Sequence, residues 1–464
     1  MATLVTILVL VGLLASCAPA PTPTPTAAPA PTATSAPAPT KPPAPTATPV
    51  PPTATPAPPT ATPAPPTATP VPAKLTLWHP YTGATGKEFE AMINDFNASH
   101  PNITVVPSYG GTLWTMRDKL LTAIAGGAAP DISIIDQFWS SELADAGSMV
   151  RAQDFIDADA AINKDDIYDY AWKTATYKGK IWSMPFSTSN EVLYYNKDLF
   201  SKAGLDPNKP PKTWDELVSM GQKLTKDLNN DGKTDQWGLS LVLKADEGCV
   251  YDWLIFLWQN DGVLFSDDFT KSRFNEQPGV EALQLYVDMV HKHKIMPLAP
   301  PANGFANGLI AMTIASTSRL STNIGALKDN LGVAPLPMKK KQATGVGGAN
   351  LAIFSATKNK QAAWEFVRWM SSADINLRWS IATGYLPLRK SVVSSAKYQE
   401  FLTKEPRAKV IVDQMPFAIV RPNIPAYAPG SREIGLAVEE AVFGNKDPKT
   451  TLDAAAKKVD AMLK

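Results

Sequence analysis

Cysteine is almost missing from this 464-residue chain; Cys17 and Cys249 are its two copies, too few for a disulfide framework. Stability must then rest on a large apolar core, and the chain is long enough to build one. Histidine is nearly as scarce. His79, His100, His291 and His293 fall into no metal-ligand spacing with a cysteine or a carboxylate. Net charge is lacking too, at +1, and the short run Lys339–Lys341 reads as a solvated loop, which argues against a nucleic-acid partner. There is no Gly-x-x-x-x-Gly-Lys-Ser/Thr phosphate-cradling loop, no Gly-x-Ser-x-Gly and no His-Glu-x-x-His. Long apolar runs are absent as well: Leu4 to Leu14 is about 11 residues, against roughly 20 for a helix crossing a bilayer.

That short segment has the size of a signal-peptide core. Leu14-Ala15-Ser16-Cys17 follows it and resembles a bacterial lipobox, which implies a signal peptide over 1–16 and a lipid on Cys17. Residues 2–16 contain no Lys or Arg, so either the terminal amine supplies the basic charge or translation starts earlier. With Cys17 lipidated, Cys249 has no partner. From Ala18 to Ala73 the chain is almost wholly Pro, Ala and Thr; PPTATPA stands at 51–57 and 58–64, and PPTATPV at 65–71. Proline breaks helices and the repeat has no large apolar seam, so a coiled coil is excluded. A solvated, polyproline-like, disordered tether over 17–73 is expected, reaching at most roughly 170 Å at ~3.1 Å per residue.

The body runs from about Lys74 to Lys464, a length that suggests two domains. Leu75–Trp78, Ile103–Val106 and Asp131–Asp136 read as strands, and the apolar spacing between them gives two helices, over Phe89–Phe96 and Leu113–Ile124. Strand–helix–strand–helix–strand implies a parallel sheet with right-handed crossovers, whose ligands sit beyond the carboxyl ends of the strands. His79–Thr82 and Asp136–Trp139 are thereby placed at the mouth of a site. Val192–Tyr195 is a buried strand ended by Asn196-Lys197-Asp198, and Thr213 with Glu216 makes a capping box for the next helix. Gln361–Met370 is a helix, and Arg432 opens the last long one. All twelve tryptophans lie in the body, a density that suits a cleft stacking on sugar rings.

The segments WHPYTG, PFSTSNEVLYYNKD, IAMTIAS, GVGGAN and TGYLP, in that order, closely resemble family 1 extracellular solute-binding proteins of ABC importers. The resemblance covers nearly all of 74–464. It implies an α/β, two-lobed, type II periplasmic-binding-protein-like fold with a cleft between the lobes, closed by a hinge on ligand. Expected lobes are 74–188 plus 317–356 and 189–316 plus 357–464, crossing near 186–192, 312–317 and 355–358. It also implies a monomeric, non-enzymatic protein outside the cytoplasm, anchored by lipid, that passes a small solute to membrane-embedded permease subunits.

Asp136, at a strand end, is either an acceptor for sugar hydroxyls or a helix N-cap. The resemblance puts Thr188 and Ser189 on ligand at the first crossing, and Ser316 and Thr317 at the second. Arg319 is a bidentate donor to an oxyanion or vicinal hydroxyls, or a surface ion pair. Gly347, Gly348 and Asn350 offer backbone N–H groups free of side-chain obstruction. Tyr385 matches a ligand-contacting tyrosine of the glycerol-3-phosphate-binding branch, and Arg432 that branch's arginine near the phosphate. Glu191 stands where that branch has proline; it is either a carboxylate at the cleft, where it repels phosphate, or a residue pointing to solvent. Trp253 is a stacking platform or a core residue on a helix with Leu254, Leu257 and Trp258. A mono- or oligosaccharide is therefore expected, with glycerol-3-phosphate or a glycerophosphodiester as the alternative. A secreted glycoside hydrolase and a sensor subunit are more distant readings. Asp227, Asn229, Asp231 and Asp235 have calcium-loop spacing, but position 238, where an EF-hand needs glutamate, is glycine; a plain turn is the competing reading.

Overall fold

Leu75 and Leu77 alternate with polar neighbours, whereas Ile132, Ile134 and Ile135 are interrupted only by the small Ser133; the first pattern suits a strand near a sheet edge and the second one buried on both faces. The computed structural model, which describes residues 72–464, places them so. β1 (Ala73–His79) pairs in parallel with β2 (Ile103–Tyr109) on one side and β3 (Ile132–Asp136) on the other. The connecting helices are Gly83–Ser99, which buries Phe89, Met92, Ile93 and Phe96, and Leu113–Ala125, which ends at Gly126. The signal segment, Cys17 and the Pro/Thr/Ala tether to residue 71 lie outside the described residues. Among the described residues no helix is long and apolar enough to cross a membrane.

A small hairpin, β4 (Thr176–Tyr177) and β5 (Lys180–Ile181), precedes the passage between the two main sheets. β6 (Met184–Ser189) belongs to the first sheet, and β7 (Glu191–Asn196) opens the second; Asn190 alone lies between them. Asn196 then caps the helix Lys197–Lys202 by accepting from the N–H groups of Asp198 and Leu199. Thr213 caps Trp214–Leu224 by accepting from Glu216 N, but the Glu216 carboxylate reaches back to Lys212 N at 2.6 Å, one residue short of a reciprocal box. The second sheet is completed by β8 (Trp237–Ser240), β9 (Ile310–Ser316) and β10 (Leu331–Ala334), in the order β10-β7-β9-β8. β11 (Thr344–Ile353) returns to the first sheet, antiparallel to both β3 and β6, and β12 (Ala418–Val420) pairs parallel to its start.

The expected division of the chain is redrawn by these pairings. β10 lies in the second sheet, through Leu331↔Asn196 to Ala334↔Leu193, so the passage back falls at 335–343 and not at 312–317. The helices Lys360–Met370 and Ala373–Thr383 bury Trp364, Phe366, Val367 and Trp379 with Phe89 and Leu77 of the first lobe, so there is no crossing at 355–358. Ala396–Lys404 and Pro406–Asp413 pack instead on Val192, Tyr194 and Leu331 of the second sheet. Arg432 does not open a helix; it lies inside Tyr427–Gly444, and a further helix, Pro448–Met462, follows. Tyr427–Gly444 packs against Glu247–Gln259 and Gln277–His291 in the second lobe, and Pro448–Met462 against Gln277–His291 and Tyr427–Gly444.

Candidate functional site

Because β1, β3 and β7 present their termini at the junction of the two sheets, the residues just beyond them meet across a cleft of about 410 Å³, within the range of small-molecule sites. Pro80 and Tyr81 come from the end of β1, and Asp136 from the end of β3. Tyr81 is held in an aromatic wall by Phe89, Phe186, Trp379 and Tyr385, with Tyr385 stacked on Trp379 at 5.5 Å. Gly348 in β11 has φ +118°, and a Cβ there would come within 2.2 Å of Ser187 O; the close approach of β11 to β6 requires glycine.

The opposite wall is the helix Glu247–Gln259, which supplies Glu247, Gly248, Tyr251 and Asp252. Glu247 sits at the helix N-terminus, where the helix dipole favours a carboxylate. It accepts from Tyr427 Oη at 2.6 Å and from the Ser431 hydroxyl. Between the walls lies Arg421, one residue past β12. Its guanidinium donates through Nη1 to Glu247 Oε1 at 2.7 Å and through Nη2 to Asp136 Oδ1 at 3.2 Å. The rings of Phe138 and Tyr251 lie 4.8 and 4.7 Å from its central carbon, and its side chain is 5% exposed. Burial pushes the Asp136 carboxyl up to about 6, against the opposing pull of Arg421. Burial also pushes Asp252 up to about 8 and Glu191 well above the ordinary carboxylate range, the latter helped by Asp252.

Of the residues singled out in the sequence, Asp136, Ser189, Ser316, Arg319, Gly348 and Tyr385 line this cleft together. Asp136 also accepts from the N–H groups of Gln137 and Phe138, while Phe138 is the N-cap of Trp139–Asp145. Arg319 is exposed and forms no ion pair with any described residue. Five others are placed elsewhere. Thr188 is buried in the crossing and donates to Gly347 O at 3.1 Å. Thr317 is buried, its N–H on Asn190 O at 2.9 Å. Asn350 donates to Thr174 O and Ser183 Oγ, past a register irregularity between Ala349 and Asn350 that breaks the alternation of β11. Trp253 is fully buried in the core, its ring edge-on to Phe274, so it is no stacking platform. Arg432 is exposed outside the cleft, beside Arg117 and Asp246.

Arg421, Glu247, Tyr251 and Asp252 went unread as site residues. The signal for Arg421 was a lone charge ending the apolar run Phe417–Val420, just before Pro422. The calcium-spaced loop is occupied by itself: Asp227, Asn229, Asp231 and Asp235 all accept from backbone N–H groups between Leu228 and Lys233. Among the described residues no group of three or more His, Cys, Asp or Glu is placed to hold a metal ion.

A family model for bacterial extracellular solute-binding proteins matches residues 91–405. The chain belongs to that family. It is a solute-binding protein and not an enzyme. It is 29% identical over 414 residues to the sn-glycerol-3-phosphate-binding periplasmic protein UgpB of Pectobacterium atrosepticum, covering 84% of this chain and 91% of that one. Its fold is similar to an ABC transporter solute-binding protein from Thermotoga lettingae bound with α-D-tagatose, at TM-score 0.77 and 28% identity over 84% of this chain and 100% of that one. The cyclic α-maltosyl-1,6-maltose binding protein from Arthrobacter globiformis is similar at TM-score 0.71 and 30% identity, over 84% and 99%.

Proposed function

We propose that this family member captures a sugar or short oligosaccharide in the cleft between its lobes and delivers it to the permease of an ABC importer. The observation that carries this reading is the composition of the cleft: Asp136, Glu191, Glu247 and Asp252 against Arg421 and Arg319, with Tyr81, Tyr251 and Tyr385 beside them. Carboxylates accept paired hydrogen bonds from adjacent hydroxyls, and tyrosines offer flat apolar faces with a polar tip. Closure about the crossing at Asn190 buries the ligand, and the permease reads the closed shape. Lipid on Cys17 holds a monomer at the membrane through the Pro/Thr/Ala tether. The tagatose- and maltosyl-maltose-binding relatives support the sugar reading.

Glycerol-3-phosphate, the ligand named for the UgpB relatives, is the second reading. Arg319 and Tyr385 favour it. A surplus of buried carboxylates and an Arg432 outside the cleft oppose it. Thermal unfolding against both ligand classes decides: saturation a hundredfold above Kd stabilises by about 2.7 kcal/mol. Stabilisation by a sugar is expected, and stabilisation by glycerol-3-phosphate alone would replace the first reading with the second.

A further inference from the structure

Glu191 and Asp252 reach the cleft from different elements, the start of β7 and the second turn of Glu247–Gln259. Each is 4% exposed. The Glu191 carboxylate makes no hydrogen bond or ion pair with any described residue; its backbone alone is held, by Thr344 and Gln414. The Asp252 carboxylate accepts from Val242 N at 3.3 Å and has no cationic partner among the described residues. Tyr251 beside it has a buried hydroxyl without a hydrogen-bond partner among the described residues. Polar groups buried in this way are stable only when something pairs with them.

The other charges around the cleft do not supply that pairing. Arg421 opposes the rise of Glu191 from nearby, but its guanidinium is engaged by Asp136 and Glu247. Arg319 is exposed and forms no ion pair with any described residue, although it lies close enough to oppose the rise of Glu191. Asp246 adds a further negative charge near Asp252. Glu191 and Asp252 therefore lack a counter-charge. A hydroxyl brings one donor and no charge, and an anion offers no donor. An ammonium brings three donors and a positive charge, and its arrival favours release of the protons that burial holds on the two carboxyls.

Resting on the sugar reading of the cleft, we propose that the Glu191–Asp252 subsite receives a protonated amine, which makes the captured solute an amino sugar or a short oligomer of one. Calorimetry on the purified protein with matched pairs tests this: glucosamine with glucose, galactosamine with galactose, and the glucosamine disaccharide with cellobiose. In at least one pair the amine is expected to bind tenfold or more tightly than its neutral counterpart. Glu191→Gln and, separately, Asp252→Asn should each weaken the amine several-fold more than its neutral counterpart and so reduce that preference; melting temperatures report whether each variant folds. Amine binding should also weaken with added salt. If no pair favours the amine, or if the preference survives in both folded variants, the proposal is overturned. Neutral sugars that bind equally well would then leave the sugar reading standing, whereas binding of glycerol-3-phosphate alone would remove both.

Discussion

Arg421 joins two carboxylates that would otherwise repel across the cleft, and its guanidinium lies between two rings, so its loss should be felt twice. Removing one partner of a buried ion pair typically costs about 3–5 kcal/mol, because the remaining charge has no solvent to turn to. Arg421→Met is expected to lower unfolding stability by that order in urea titrations and to weaken ligand binding at least tenfold. The carboxyls have a pH signature of their own. Asp136 and Asp252 ionise at about 6 and about 8 in the folded protein, well above their ordinary value. Between roughly pH 4 and 8 the folded state therefore holds protons that the unfolded chain has released. The stability these groups contribute is full below that window and is lost as pH rises through it. Asp252→Asn removes one such titration. Its stability relative to the parent protein should rise as pH goes from about 5 to about 9, measured by denaturant unfolding; a constant difference would show that Asp252 keeps its ordinary ionisation.

Among the elements, the helix Glu247–Gln259 separates two readings of one residue. Its twelve described buried positions include Trp253 on the core side and Tyr251 and Asp252 towards the cleft. Trp253→Phe should cost stability on the order of 1–3 kcal/mol, as large-to-small core changes do, and leave ligand affinity within about twofold. A tenfold loss of affinity in a protein of unchanged stability would return Trp253 to the site. At Gly348, a Cβ meets Ser187 O in a left-handed backbone region, so Gly348→Ala should destabilise by more than about 1 kcal/mol and shift the crossing. Local patterns made many of these elements legible: the first three strands, the cap at Thr213 and the strand Val192–Tyr195 follow from spacing and capping chemistry within a dozen residues. Arg421 was not legible in that way. Its partners Asp136 and Glu247 are 285 and 174 residues away, and only the pairing of β12 with β11 brings it to them. Asn350 and Thr317 misled for a related reason, since a register irregularity in one case and a crossing contact in the other turn a cleft-adjacent residue inward.

At the scale of the whole molecule, the two lobes share one apolar cluster that runs from Leu193 and Trp253 to Phe138 and Trp139, while the cleft above it is charged. Affinity at this junction has to come from a few well-placed hydrogen bonds and from burial on closure; a micromolar Kd corresponds to about −8 kcal/mol. Closure should reduce the radius of gyration on saturation with ligand, measured by small-angle scattering. The placing of the lobe boundaries was beyond local patterns, because β10 and the helices Lys360–Thr383 join their sheets through partners more than a hundred residues distant. The central claim is that the cleft takes a sugar rather than a phosphate ester. Calorimetric titration of the purified protein with sugars, amino sugars and glycerol-3-phosphate at neutral pH tests it most directly. Saturable binding of a sugar, weakened at least tenfold by Arg421→Met and unchanged by Arg432→Ala, is the predicted result; binding of glycerol-3-phosphate alone, abolished by Arg432→Ala, would contradict it.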